Sequence, residues 1–325
     1  MASTRRRMRI SIITLAIDSS QYLNEAIDSV ECDGPFDVEH IIVHDGDDAF
    51  ADSLRQKYPA ITVMKGPGEG ATAAAVRGAE AATGDFILFL NSDDRLCPGA
   101  LARLAAKAAT RPDVKMWTGG ARIFRTLLDG REATVRVMTE RDVTLLSLEN
   151  VCDLLPLLSA RFCSRAVFSQ IGSFDWRFSE CSDREFLLRA VIAGISEASL
   201  DIMVSEMRMH EASRTIHQRS GWVPPYLVEH IRIADMWRAR PGVDRRTHRF
   251  LRNWRAREIL RLFVHQCRAG QWKKAAPGFL AEALTDPLWI CRIVTLLAVQ
   301  RRRRRGLYRS QTKSVEAPIY AEGRQ

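Results

Sequence analysis

The chain has 325 residues, 46% of them hydrophobic, with 19 Gly and 12 Pro, which fits a packed globular protein and argues against a disordered or fibrous one. Its seven Cys are scattered, odd in number and without a Cys-x-x-Cys pair, which argues against a disulfide framework or a structural zinc site and fits a reducing, cytoplasmic compartment. The net charge of +9 is uneven: residues 221–325 hold 22 Lys plus Arg against 8 Asp plus Glu, a net of +14, and residues 1–220 hold 26 against 31, a net of −5. This is the layout of an acidic body with a basic extension.

The opening Met1-Ala2-Ser3-Thr4-Arg5-Arg6-Arg7 has the charge of a signal n-region, but the apolar run that follows is short, ends at Asp18 and has no cleavage site. It reads as a first core strand over residues 9–16. Helical spacing follows over 21–30, then a strand over 38–44, a helix over 49–58, a strand over 61–65, an Ala-rich helix over 71–82 and a strand over 85–90. Four strand-helix repeats in succession predict a largely parallel sheet with helices on its faces and right-handed connections. After Pro112 the pattern changes to strands over 116–120, 121–126 and 133–138, the last two joined by a turn at Asp129-Gly130. Past Pro224-Pro225 the sequence becomes Arg- and Trp-rich and helical, with Ala256, Leu260, Phe263, Val264 and Cys267 at helical spacing. The boundary is placed between 220 and 221.

The run Gly84-Asp85-Phe86-Ile87-Leu88-Phe89-Leu90-Asn91-Ser92-Asp93-Asp94 carries paired carboxylates out of the end of a short apolar strand. In an open α/β sheet the ligand crevice lies beyond the carboxyl ends of the strands. Adjacent carboxylates repel, and a divalent cation held with substrate phosphates relieves that repulsion. Asp is equally at home opening a turn into the helix that Pro98 announces, so a metal anchor and a turn residue stand as two readings. The second strand ends in Val43-His44-Asp45-Gly46, and the first strand delivers Thr14 and Asp18 to the same edge. Small polar and acidic groups from three strand ends are the makings of a nucleotide site with a metal. His40 and His44 lie on one face of their strand and read as packing or surface groups.

With these motifs in this order, residues 9–220 resemble family 2 glycosyltransferases of the GT-A fold. The resemblance is carried by Tyr22-Leu23, by Val43-His44-Asp45-Gly46, by Ala82-Thr83-Gly84-Asp85 before the metal strand and by the DxD-like Asn91-Ser92-Asp93-Asp94. It continues through Gly172-Ser173-Phe174-Asp175, Ser182-Asp183-Arg184-Glu185 and Met209-His210-Glu211-Ala212-Ser213-Arg214. It implies a Rossmann-like, mixed but mostly parallel α/β sheet flanked by helices, with a catalytic domain over 1–220 and a helical extension over 221–325. It implies transfer, with inversion, of a sugar from a UDP-, GDP- or dTDP-sugar to a glycan or lipid-linked acceptor, assisted by Mn²⁺ or Mg²⁺, in cell-surface glycan synthesis. By resemblance Asp183 is the general base, Asp93 and Asp94 hold the metal, and Asp45 recognises the nucleobase. Thr14, Asp18, Arg77, Asn91, Ser92, His210 and Arg214 complete the donor site, the last two facing the diphosphate.

Two features depart from the family pattern. Asn91 stands at the first position of the metal motif, and Ala73 and Val76 stand where relatives often carry Asp and Asn. They leave open a non-catalytic GT-A-like protein that binds a membrane or a partner through its basic helices. Asp183 beside Arg184, Glu185 and Arg189 also fits an ordinary capped helix start. Gly68-Glu69-Gly70-Ala71-Thr72-Ala73 matches a dinucleotide fingerprint, the mark of a Rossmann-type oxidoreductase. The stretch at 286–300, ahead of five arginines at 301–305, is too short to span a bilayer; it fits either a packed helix or an interfacial one with Trp289 in the lipid and the arginines on anionic headgroups.

Overall fold

A computed structural model describes residues 6–16, 21–127, 129–139, 145–154, 157–210, 223–291 and 293–294. Two compact units emerge, Met1–His217 and Gln218–Gln325. In the first, β1 (Met8–Ala16), α1 (Leu23–Asp28), β2 (Phe36–His44), α2 (Asp48–Lys57), β3 (Thr62–Lys65), α3 (Ala71–Ala81) and β4 (Phe86–Asn91) follow the expected alternation. Then come β5 (Arg95–Leu96), α4 (Ala100–Thr110), β6 (Met116–Thr126), β7 (Glu132–Met138) and α5 (Leu148–Asp153). The unit closes with β8 (Arg161–Ser164), α6 (Arg165–Ile171), α7 (Ser182–Ile192) and β9 (Glu197–Arg208).

The strands form one sheet in the order β3-β2-β1-β4-β8-β6-β9-β5, with β7 paired to β6. β1, β2, β3 and β4 are mutually parallel; β8 is antiparallel to both β4 and β6, so β6 and its parallel partner β9 run with β4. Asn91, Thr126 and Arg208 therefore finish on the same edge of the sheet. β1 and β4 are near-continuous apolar runs because helices cover both faces, as interior parallel strands require. Phe86, Leu88 and Leu90 face one core with Ile10, Ile12, Leu101 and Trp117. Phe89 faces the other, where its ring meets Phe174 at 5.0 Å, and Phe174 meets Phe186 at 4.9 Å.

β6 is one strand where the sequence reads as two. Gly119 and Gly120 mark the point where its pairing with β9 shifts register, and a Cβ on Gly119 would lie 2.5 Å from the Ile202 carbonyl oxygen. The glycine-rich turn Gly68–Gly70 does lead into α3 with both glycines at positive φ. It follows β3, however, an edge strand, whereas a dinucleotide fingerprint follows the central strand at the topological switch point, here β1. The oxidoreductase reading is thereby set aside.

The second unit holds α8 (Tyr226–Arg238), α9 (Arg245–Arg268) and α10 (Trp272–Thr285). Asp244 caps α9 by accepting from the Arg246 and Thr247 amides. The apolar stripe read at 256–267 turns outward at its end, with Val264 37% exposed and Cys267 exposed; the buried face instead runs through Leu251, Trp254, Ala256 and Ile259. Glu258 is fully buried: burial raises its pKa, but a hydrogen bond from His230 and the Arg257 and Arg261 guanidiniums outweigh that and hold the carboxyl well below its ordinary value. Trp289 favours the packed of the two readings of this stretch. It has no exposed surface, packs with Ala256, Ile259 and Ile293, and meets the Phe279 ring edge-on at 5.3 Å, so it is a core residue and not a lipid anchor.

At the opposite edge of the first unit's sheet, the Gly84 amide donates to Ser11 Oγ at 2.9 Å, and a Cβ on Gly84 would stand 2.7 Å from the Ser11 amide nitrogen and 3.0 Å from the Arg9 carbonyl oxygen. Backbone cannot yield as a side chain does. Gly84→Ala is expected to lower the unfolding free energy by about 1–3 kcal/mol in urea denaturation, the usual cost of overpacking.

Candidate functional site

The site grows out of the turn between β4 and β5. The Asp94 amide donates to the Asn91 carbonyl at 3.2 Å, closing a four-residue turn, and Asn91 Nδ2 donates to Asp94 Oδ2 at 2.8 Å. The other Asp94 oxygen accepts the Arg208 amide at 2.9 Å. Asp94 is 3% exposed, and burial, with the Asp93 charge beside it, pushes its pKa up to about 7. Both of its carboxylate oxygens are thus engaged by protein donors, which makes Asp94 the pin that joins the turn to the end of β9. The expected role of metal ligand does not suit it, because it is turned into the protein toward these two donors and almost wholly buried.

Asp93 differs. Its carboxylate is about a quarter exposed and lies 3.0 Å from His210 Nε2, and the His210 ring sits 5.5 Å from the Tyr22 ring. The Asp93 carbonyl accepts from Arg208 Nε at 3.3 Å. Asn91, at the exposed end of β4, turns its amide nitrogen to Asp94 and so keeps its oxygen for a ligand, with Ser92 next to it in the turn. An oxygen from Asp93 with a nitrogen from His210 is a donor set that fits Mn²⁺, and a single carboxylate with substrate phosphates fits Mg²⁺. Among the described residues no cluster of three or more His, Cys, Asp or Glu side chains is arranged around a metal position.

Arg208 organises this corner, and the sequence motifs do not single it out. It is 7% exposed; its guanidinium lies 4.1 Å from the Tyr22 ring centre and 4.7 Å from that of Phe124, and donates to Thr126 Oγ1 and the Glu25 carboxylate. Arg95 and Arg122 lie at 4.5 and 4.9 Å from the same Phe124 ring, and each pairs with both Glu132 and Glu206. The signal that could have found Arg208 is its place as the last strand residue, two before His210.

Asp45 follows β2, and its Oδ1 accepts the Gly68 amide at 3.3 Å. A Cβ on Gly66 would fall 2.3 Å from that oxygen, so a glycine there lets the β3 exit close over Asp45. Asp183 occupies the first turn of α7. Thr72 Oγ1, in the first turn of α3, sits 2.9 Å from Ser182 Oγ and donates to the Phe178 carbonyl, which brings the start of α7 to the carboxyl edge of the sheet. Burial raises the Asp183 pKa above the ordinary carboxylate value, against the opposing pull of Arg184 and Arg161. Arg189 holds α7 to the Gly172-Ser173-Phe174-Asp175 element through the Ile171 and Ser173 carbonyls.

Other expected residues fall elsewhere. Thr14 is fully buried, and its hydroxyl is 2.9 Å from His40 Nε2 inside the sheet; it braces two strands and offers nothing to a ligand, because the β1 edge lies two residues further on. Burial alone lowers the His40 pKa to about 4, so the ring stays neutral. Arg77 is exposed on α3 and is not among the residues that meet Asp93. Asp18 and Arg214 lie outside the described residues.

A mostly parallel, Rossmann-like sheet whose carboxyl edge gathers Asp45, the Asn91–Asp94 turn and His210 defines the GT-A class. Residues 11–129 match the model of glycosyl transferase family 2. That match covers the β1–β6 part of the first unit, about a third of the chain. O-antigen biosynthesis protein RfbC of Myxococcus xanthus is 34% identical over 123 residues, which are 36% of this chain and 10% of that protein, so the chain spans about a tenth of this relative's length. The fold is that of S. aureus TarS 1-349. Its complex with UDP-GlcNAc superimposes with a TM-score of 0.59 at 18% identity, over 84% of this chain and 80% of that one; TarS 1-349 alone gives 0.58 at 17%, over 97% and 93%.

Removing the Asp94 carboxylate leaves the Arg208 amide and the Asn91 amide group without acceptors. Asp94→Ala is therefore expected to destabilise the fold by about 1–3 kcal/mol in chemical denaturation, the cost of buried donors left unmade.

Proposed function

We propose that the chain transfers a sugar from a nucleoside-diphosphate sugar to an acceptor hydroxyl, with inversion and with a divalent cation, in the assembly of a cell-surface glycan. The observation that carries this reading is the partly exposed Asp93–His210 pair at the carboxyl edge of a GT-A sheet. The relatives point the same way: one is an O-antigen biosynthesis protein, and a structural neighbour was solved with UDP-GlcNAc and with UDP.

In this reading the donor lies along the strand ends. Asp45 receives the nucleobase, its position held by the Gly68 amide. Asp93 and His210 would hold Mn²⁺ or Mg²⁺, with Asn91 and Ser92 close to the donor. The bound cation supplies charge neutralisation for the departing diphosphate. Asp183 takes the proton of the acceptor hydroxyl as the new glycosidic bond forms and the bond to the diphosphate breaks. Its raised pKa suits that duty, since a base closer to neutrality accepts a proton more readily; the helix-cap role available to Asp183 does not need such a shift. Arg77 and the residues Asp18 and Arg214 remain proposed donor contacts.

Two measurements test this. Asp93→Ala is expected to abolish Mn²⁺-dependent donor binding in calorimetry while changing stability by less than about 0.5 kcal/mol, as a partly exposed site does; unchanged donor binding, with no turnover by the wild type across a nucleotide-sugar panel, would sink the enzyme reading. The pH dependence of kcat/KM is expected to rise through an acid limb above the ordinary carboxylate pKa, because the base acts ionised. Asp183→Asn should lose about 100- to 10,000-fold in transfer while keeping donor affinity.

A further inference from the structure

We propose that α10 and the turn after it form a docking surface for an anionic lipid bilayer, lying in the plane of the interface. A surface helix ordinarily turns polar residues to water. α10 does not: Phe279 and Ala283 pack inward against Ala256 and Ile259, while Trp272 (59% exposed) and, eight residues on and then at intervals of four, Leu280 (56%), Leu284 (83%) and, beyond the helix end, Leu288 (72%) stand outward. The helix is thus apolar on both sides.

The charges select the occupant. Between Trp272 and Thr285 the only carboxylate is Glu282, which is 7% exposed and turned to Arg255, so the helix itself turns no carboxylate outward, and Asp286 at its end is outnumbered by the basic residues around it. Exposed Lys273 and Lys274 flank the stripe at its start, and residues 221–325 carry a net +14. A second copy of the same chain would bring a like charge to the contact and be repelled, whereas acidic headgroups are attracted and the acyl boundary takes up the leucines. No helix of the described residues is long and apolar enough to cross a membrane, which leaves lying on the surface as the mode. The surface is independent of the glycosyl-transfer reading.

The test is co-sedimentation of the full chain with phosphatidylcholine vesicles with and without phosphatidylglycerol. The wild type should bind only the anionic vesicles, and Leu280→Glu with Leu284→Glu should weaken binding at least about tenfold. Circular dichroism and melting temperature should be unchanged, both side chains being exposed. Three results would overturn the proposal. One is no binding by the wild type. Another is equal binding by the double variant, which would assign attachment to the arginines at 301–305. The third is lipid-free, concentration-dependent self-association in sedimentation velocity that the double variant abolishes, which would place a second copy on this face.

Discussion

One buried carboxylate sets the geometry of the candidate site. Asp94 receives the Asn91 side chain on one oxygen and the Arg208 amide on the other, so it joins the end of β4 to the end of β9 across the carboxyl edge of the sheet. Burying a charge is costly, and burial with the Asp93 charge beside it outweighs the pull of the two donors and the nearby Arg208 guanidinium, which is why the Asp94 pKa is raised. Next to that link, the Asp93 carboxylate meets His210 and stays partly exposed at the edge.

The link is backed by a lattice of charge. Arg95 follows Asp94 directly and pairs with Glu206 on β9 and Glu132 on β7; Arg122 on β6 pairs with the same two carboxylates, and Phe124 lies beneath Arg95, Arg122 and Arg208. Four strands are thus fixed around one turn, although isolated surface pairs contribute little. Shared partners are what distinguish this arrangement, since no one pair can shift without disturbing another. Preorganised charge is also what phosphate chemistry demands of a site.

Much of this was legible in the order of residues. The alternation of apolar strands and helices over the first hundred residues has a local cause, side-chain periodicity, and the strand ends follow from it. Asp45, Asp93 and His210 could be nominated as candidates because they sit at those ends or in motifs with a chemical purpose. Asp94 and Thr14 were assigned to ligands because sequence shows residue type and not direction: one residue's shift along a strand or turn decides between the crevice and the core. Arg208 was missed because its partners, Glu25, Thr126 and Tyr22, are distant in sequence. Trp289 illustrates the same limit, an aromatic that composition left open to a lipid boundary or a core and that packing against Phe279 places in a core.

The central claim is that the carboxyl edge around Asp93 receives a nucleoside diphosphate. A crystal structure of the chain grown with UDP and Mn²⁺ tests it most directly. The account predicts the diphosphate and cation against Asp93 and His210, with the base beside Asp45. Nucleotide bound at any other place, with Asp93 still paired only to His210, would contradict it.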